Sequence, residues 1–163
     1  MLNLPLSIMS RHYIIDGYNA LHAMRRWEDL SREAKRLAFL RYLDESRPTG
    51  SDRNTVIVVL DGYAAALRGI RLSLVQLVFS GGQEADAVIK ERVADLRNPR
   101  DAVVVTDDRG LRAAVRSYGA QVMSCGEFFH LKQRKLDRRG AGKLGASSSE
   151  SINNELKKLW KLE

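Results

Sequence analysis

Three apolar runs of this chain end on an aspartate, and this repeated pattern constrains the fold most. The runs are His12–Asp16, Val56–Asp61 and Val103–Asp108. A continuous apolar run without polar alternation is typical of a strand buried on both faces, as in a parallel sheet. Ligands of such sheets bind beyond the carboxyl ends of the strands. The pattern therefore predicts an α/β fold with aspartates gathered at a ligand-binding edge.

The remaining periodicity predicts a three-layer α/β sandwich with a mainly parallel central sheet. Apolar residues at helical spacing predict helices over about 31–46, from residue 85 to a stop before Pro99, and over about 109–117. A short strand is predicted near 120–124, and the segment after Asp16 is predicted to be a loop. Strands that alternate with helices form parallel βαβ units with right-handed crossovers.

The length of 163 residues suits one domain with short appendages. We expect an N-terminal extension over residues 1–10, an α/β domain over 11–131 and a basic tail over 132–163. The end of the tail predicts a short amphipathic helix with Ile152, Leu156, Leu159 and Trp160 on its apolar face.

The single cysteine, Cys125, excludes disulfides and thiolate zinc sites within one chain. A reducing cytoplasm fits this usage best, and packing is the expected role of Cys125. The apolar opening segment lacks the basic start of a signal peptide and is too short to span a membrane. We therefore expect no membrane partner. The oligomeric state stays open.

The formal net charge is +7, although an acidic pocket is predicted. A basic body around acidic groups suits a polyanionic substrate held by its phosphates. On charge alone, a basic protein without such a partner remains an equal alternative.

The first candidate site lies in the segment that Asp16 opens. We expect Gly17 to turn the backbone sharply off the strand, and the amide of Asn19 to orient a phosphate oxygen or a metal-bound water. Asp, Gly and Asn are also common turn formers, so a turn without a ligand is the alternative. The presence of the other two strand ends favours the site.

The third strand end carries two adjacent aspartates. We assign Asp108 to the site and Asp107 to its surroundings or to helix capping, because aspartate is a good N-cap. Thr106 is expected to hydrogen-bond a neighbouring carboxylate and fix its orientation.

Further carboxylates lie near these strand ends. Glu84 and Asp86 fall in the first turn of a predicted helix, where the helix dipole alone favours acidic residues. Positions two apart point to different sides, so we select Asp86 for the pocket. Asp61 is also a candidate, although Asp-Gly is an ordinary turn pair.

Several carboxylates in one pocket repel each other, and Mg²⁺ or Mn²⁺ would relieve that repulsion through oxygen ligands. Such a metal activates water and stabilises charge on a phosphodiester during in-line displacement. Neither a serine nucleophile elbow nor a Gly-rich phosphate loop is present in the sequence. The chain is therefore predicted to be a metal-dependent enzyme.

Basic and aromatic residues near the strand ends and in the tail are candidates for RNA binding. For each basic residue the alternative is a solvated surface. The candidates are Tyr18, Arg68, Arg71, Arg109, Arg112, Lys132, Arg134, Lys135, Arg138, Arg139 and Lys143.

Four segments together resemble a YacP-type NYN domain, a bacterial and plastid branch of the PIN-like nuclease superfamily. They are Ile15–Asn19, Val58–Asp61, Ala85-Asp86 with Ile89, and Val105–Asp108. The Asp-Gly-Tyr-Asn signature is fairly specific, and the others are informative in order. The resemblance runs from about Tyr13 into the tail.

The resemblance implies a PIN-like fold and a metal-dependent endoribonuclease that cuts single-stranded RNA, with mRNA and the ribosome as partners. It places the protein in the cytoplasm, or in the plastid stroma if its source is a plant or alga. Asp16, Asp86 and Asp108 would bind the metal, and one of them or Asp61 would orient the attacking water. Asn19 would position the scissile phosphate.

This sequence departs from the family pattern at two positions. The family often has an acidic residue three before the position of Asp86, where this chain has Gln83, and Glu84 is displaced by one. Asp107 replaces a small polar residue and adds either a ligand or a cap.

Two other functions fit the same residues. A non-catalytic RNA- or ribosome-binding module would keep the fold and bind RNA without metal. A phosphatase for a small substrate is disfavoured by the basic tail.

Overall fold

A computed structural model describes residues 10–67 and 69–131, without the side chains of residues 65 and 66. The predicted tail, including its amphipathic helix, and residues 1–9 of the predicted extension lie outside the described residues. So do Arg68 and the six basic tail candidates.

Ten helices and strands make up the described fold. In chain order they are β1 (His12–Asp16), α1 (Gly17–Ala23), α2 (Arg32–Ser46), β2 (Thr55–Leu60), β3 (Val75–Phe79), α3 (Ala85–Asp95), β4 (Ala102–Val105), α4 (Arg109–Ser117), β5 (Gln121–Met123) and α5 (Cys125–Phe129). Two 3₁₀ turns, Ala64–Leu67 and Pro99–Asp101, complete the pattern.

The strands form one sheet in the order β3-β2-β1-β4-β5, and every pairing between them is parallel. The chain moves outward from β1 through β2 to β3, then returns to the other side of β1 for β4 and β5. The strand order therefore reverses between β1 and β4. In open parallel sheets this reversal opens a crevice at the carboxyl ends of the strands.

Two apolar clusters lie on opposite faces of the sheet, which confirms the predicted three-layer α/β sandwich. Successive residues of a strand contribute side chains to the two clusters in turn, because they point to opposite faces of the sheet. On one face the sheet packs on α1, α2 and α5, with Phe39 and Phe128 fully buried. On the other it packs on α3 and α4, with Ile89 and Val115 fully buried.

The predicted helices over about 31–46 and 109–117 are confirmed, and Ser31 caps α2 by accepting a hydrogen bond from the N–H of Ala34. The helix predicted to stop before Pro99 ends at Asp95. The third of the predicted aspartate-ended strands is β4, which ends at Val105, so Asp107 and Asp108 lie just beyond it. No described helix has the length and apolar character needed to cross a membrane.

The loop predicted after Asp16 is wrong, because residues 17–23 form α1. The chain turns directly from β1 into α1 at Gly17, without a left-handed φ at this residue. A Cβ there would lie 2.4 Å from Leu60 Cδ2 and 2.7 Å from the carbonyl oxygen of Val59. Gly17 is therefore required for the close approach of α1 to β2.

Candidate active site at the carboxyl edge of the sheet

Asp16 is the most enclosed carboxylate of the candidate site, with 3% of its surface exposed. It ends β1 and is the N-cap of α1. Its Oδ2 accepts hydrogen bonds from Asn19 Nδ2 at 2.6 Å and from Thr106 Oγ1 at 3.0 Å. Its Oδ1 accepts a longer bond, 3.4 Å, from the N–H of Asn19. These bonds fix the direction of the carboxylate.

Thr106 connects the two strands at which the strand order reverses. Its hydroxyl donates to Asp16 and accepts from the N–H of Asp108 at 3.1 Å. Asp108 in turn caps α4, since its Oδ1 accepts from the N–H of Leu111 at 2.7 Å. The other oxygen, Oδ2, receives no hydrogen bond from the described residues. The chain thus places Asp108 beside Asp16 with one oxygen available.

Asp86 reaches the same region from the opposite helical layer. It lies in the first turn of α3 and is half-buried. Its pKa is raised by burial, then by the charges of Asp108 and Asp16 and more weakly of Glu84, while Lys90 opposes the shift. The charges of Asp108 and Asp16, which lie on two other elements, therefore act on Asp86.

Asp61, and not Glu84, caps the start of α3 with its side chain. Glu84 is the N-cap residue of α3 but makes no side-chain cap bond, and it is exposed. Instead Asp61 Oδ1 accepts from the N–H of Ala85 at 3.3 Å. The exposed Asp61 therefore holds the start of α3, the helix that carries Asp86.

Asp107 holds the start of α5 and not that of α4, the helix that Asp108 caps. Asp107 Oδ1 accepts from the N–H of Cys125 at 3.0 Å, beside a capping box between Ser124 and Glu127. Burial, and then Asp107, raise the pKa of the Cys125 thiol. Cys125 is fully buried, so the geometry agrees with its expected role in packing.

The carboxylates suit a hard divalent cation by donor type, because each supplies oxygen ligands. Asp16, Asp86 and Asp108 form no ion pair within 4 Å with any described residue that would discharge them. Across residues 10–67 and 69–131, however, no group of three His, Cys, Asp or Glu side chains is arranged closely enough to hold a metal. The carboxylate oxygens are thus of the type that a divalent cation prefers. To hold an ion together, the side chains that carry them would have to move closer to one another.

Comparison with protein families gives a match to the YacP-like NYN domain over residues 13–161. The chain belongs to this family. NYN domains are a nuclease family, so the chain has a nuclease-like, RNA-related fold. Comparison with curated proteins finds no match.

Two solved structures are similar to this chain over most of its length. One is a tryptophan-to-leucine mutant of Rae1 (YacP) from Bacillus subtilis, with a TM-score of 0.60, 25% identity and 92% of each chain covered. The other is Rae1 (YacP) from Bacillus subtilis without that mutation, with a TM-score of 0.60 and 24% identity over 91% of this chain and 94% of that one. The second likeness shows the fold alone.

The predicted RNA-binding residues of this NYN domain are spread over its surface. Tyr18 is 64% exposed on α1, next to Asp16. Arg109 and Arg112 lie in the first turns of α4, beyond Asp108. Arg71 is exposed on the connector from β2 to β3, shortly before β3 begins and thus toward the amino ends of the strands. The first three therefore surround the carboxyl edge.

Sequence reasoning missed two cations of the NYN domain near its carboxylates. Arg36 on α2 donates to the carbonyl oxygen of Asp61 at 3.2 Å, and its pKa is lowered by burial and then by Arg32. Lys90 lies one helical turn beyond Asp86 and favours its charged form. The available signal for Lys90 was its four-residue spacing from Asp86, whereas the contact of Arg36 with Asp61 spans 25 residues and has no local signal.

Proposed function

We propose that this protein is an endoribonuclease that hydrolyses single-stranded RNA, with Mg²⁺ or Mn²⁺ bound by Asp16, Asp86 and Asp108. The supporting observation is the placement of these three carboxylates. Asp16 lies at the point of strand-order reversal, fixed by Thr106 and Asn19, and the charges of Asp108 and Asp16 act on Asp86. The nuclease family and the net charge of +7 support the same proposal.

Each residue has a task in the hydrolysis. A divalent cation, when bound, supplies positive charge to the phosphodiester and acidifies a water molecule. The three carboxylates hold that charge in place, and one of them or Asp61 orients the attacking water. Asn19 positions the scissile phosphate. Water oxygen bonds to phosphorus, one bridging P–O bond breaks, and the leaving oxygen takes a proton.

We propose mRNA, presented by the ribosome, as the substrate. The resemblance to the YacP-type family motivates this choice, and the exposed Tyr18 beside Asp16 suits recognition of unpaired bases.

The test is cleavage of translated and naked mRNA with Mn²⁺, with RNA binding followed in parallel. Asp108→Asn is the informative variant, because asparagine caps a helix as well as aspartate does. It removes the charge and keeps the cap of α4. Asp95→Asn, at the other end of α3 from Asp86, is the matched control. We expect cutting to be lost in Asp108→Asn and Asp16→Asn and kept in Asp95→Asn.

The competing function is a non-catalytic RNA- or ribosome-binding module. The observation in its favour is that the described residues contain no ready-made metal site. RNA binding that survives loss of the carboxylates, without metal-dependent cutting by the wild type on either mRNA, would establish the module. Cutting of translated mRNA alone would identify the ribosome as the presenting partner.

A further inference from the structure

A cavity of about 280 Å³ lies beside α1, outside the group of carboxylates. Its walls include two aromatic rings, three basic groups and one acidic group. They are Tyr18, His22, Arg25, Arg26, Lys35 and Glu28. We call this cavity the Tyr18 cleft. Its volume is just below the roughly 300 Å³ at which pockets for drug-sized ligands begin. One nucleotide is a ligand of suitable size.

The aromatic wall of the Tyr18 cleft suits a nucleobase. The rings of Tyr18 and His22 are parallel within 4°, with centroids 6.0 Å apart, because the two residues are one helical turn apart on α1. Tyr18 is 64% exposed although it is a large aromatic side chain. The two rings are stacked on each other, and an outer face of this exposed pair offers a surface on which any unpaired base can stack.

The basic wall suits a phosphate. Arg25, Arg26 and Lys35 face one acidic group, Glu28, so positive charge is in excess. The guanidinium of Arg26 lies 4.9 Å from the ring centroid of Trp27 and 5.7 Å from that of Tyr42. These cation–π contacts hold the Arg26 guanidinium in place before a ligand arrives.

The cleft begins next to the carboxylates. Tyr18 is two residues from Asp16, so their Cα atoms are at most about 7 Å apart. It also immediately precedes Asn19, which donates to Asp16. A strand with a phosphate at Asp16 and Asn19 therefore reaches the cleft with its adjoining nucleotide.

We propose that the Tyr18 cleft binds the nucleotide of single-stranded RNA that adjoins the scissile phosphate. The base stacks on an outer face of the Tyr18–His22 pair, and its phosphate contacts Arg25, Arg26 and Lys35. This inference rests on the proposed nuclease function and adds a subsite to it. An acidic protein segment would use the basic wall and leave the rings without a role.

The test measures binding of a short fluorescent single-stranded RNA to the full chain in EDTA, by anisotropy, so that cleavage plays no part. Tyr18→Ala is compared with Tyr118→Ala, another exposed tyrosine, at the end of α4. We expect Tyr18→Ala to weaken binding about tenfold, as for loss of one stacked base, and Tyr118→Ala to bind as the wild type does.

Charge is tested with Arg25→Glu and Lys35→Glu against Arg97→Glu, an exposed arginine beyond the far end of α3. Each cleft variant should weaken binding, and loss of one phosphate contact should lower the salt slope by about 0.7. If the cleft variants bind as Arg97→Glu does, the cleft is not an RNA site and the proposal is overturned.

An abasic series separates stacking from a general loss of structure. One nucleotide of the RNA at a time is made abasic, and circular dichroism confirms that each variant is folded. At one position the abasic change should lower the affinity of the wild type for RNA about tenfold and leave the affinity of Tyr18→Ala unchanged. Equal losses for both proteins at every position would overturn the stacking. Failure of the nuclease function would instead appear as intact binding without cutting when Mn²⁺ is added.

Discussion

Thr106 donates a hydrogen bond from its Oγ1 to Asp16 Oδ2, 3.0 Å away, across the two strands where the strand order reverses. Thr106 is completely buried and Asp16 is 3% exposed. The bond therefore fixes the Asp16 carboxylate before any ligand binds. The same hydroxyl accepts from the N–H of Asp108, so one side chain sets the positions of two candidate metal ligands.

Replacing Thr106 by valine keeps the shape of the side chain and removes both bonds. We expect the free energy of unfolding to fall by about 2 kcal/mol, because a buried carboxylate and a backbone N–H lose a partner. Cleavage should fall by more than the loss of folded protein explains. Urea denaturation and cleavage rates on the same samples check this, and Thr106→Ser should restore both. Equal cleavage by the folded valine variant would show that the Thr106 bond does not position Asp16.

Gly17 is predicted to tolerate no larger residue. An alanine Cβ would meet Leu60 Cδ2 at 2.4 Å and the carbonyl oxygen of Val59 at 2.7 Å, and the backbone atom has little room to move. We expect Gly17→Ala to lower the free energy of unfolding by about 2 kcal/mol or more. Gly126→Ala, on α5, is the control, since its Cβ would meet only Ser124 Oγ at 4.0 Å. Denaturant midpoints that agree for the two variants would contradict the close approach of α1 to β2.

Asp44 is predicted to stabilise the fold in a pH-dependent way. Its carboxylate accepts from the N–H groups of Ser73, Leu74 and Val75 at 2.9, 2.7 and 3.0 Å. Burial opposes the charged form, but these bonds and Arg47 outweigh it and lower the pKa below 3.8. Because the folded pKa is the lower one, the stabilisation is present above the unfolded pKa. It is lost as the pH falls through the folded value.

The measurement for Asp44 is urea denaturation of Asp44→Asn and the wild type across this pH range. We expect the variant to be less stable by about 1–2 kcal/mol at neutral pH, with the difference vanishing well below pH 3.8. Asp52→Asn, which breaks an exposed ion pair with Arg47, should change little at either pH. A difference for Asp44→Asn that is independent of pH would contradict the role of its charge.

The strand ends were predictable from sequence because burial on both faces leaves an unmistakable apolar run. The helix α1 was not, because Asp16, Gly17 and Asn19 belong to residue types that favour both turns and helix starts. The strand β3 lies at the sheet edge and exposes Gln76, so its apolar pattern is incomplete. The helix α5 has five residues, too few for periodicity, and only its capping box Ser124-Cys125-Gly126-Glu127 signalled it.

The candidate site shows a similar division. Local sequence indicated which aspartates end or follow strands, but not which of them cap which helix. Asp61 caps α3 from 24 residues away, and Thr106 reaches Asp16 from 90 residues away. Such contacts depend on the strand order, which places β4 beside β1, and no local pattern records that order.

Asp86 offers the most direct test of metal binding. Burial and the charges of Asp108 and Asp16 disfavour its charged form, so Asp86→Asn should relieve repulsion in the absence of metal. We expect the variant to have a slightly higher Tm than the wild type in EDTA. With Mn²⁺ the order should reverse, because a ligand at 100 times its Kd stabilises a folded protein by about 2.7 kcal/mol and the variant lacks one ligand. Asp95→Asn should follow the wild type in both conditions.

Equal stabilisation of Asp86→Asn and the wild type by Mn²⁺ would show that Asp86 is not a metal ligand. No stabilisation of the wild type would favour the RNA-binding module over the nuclease.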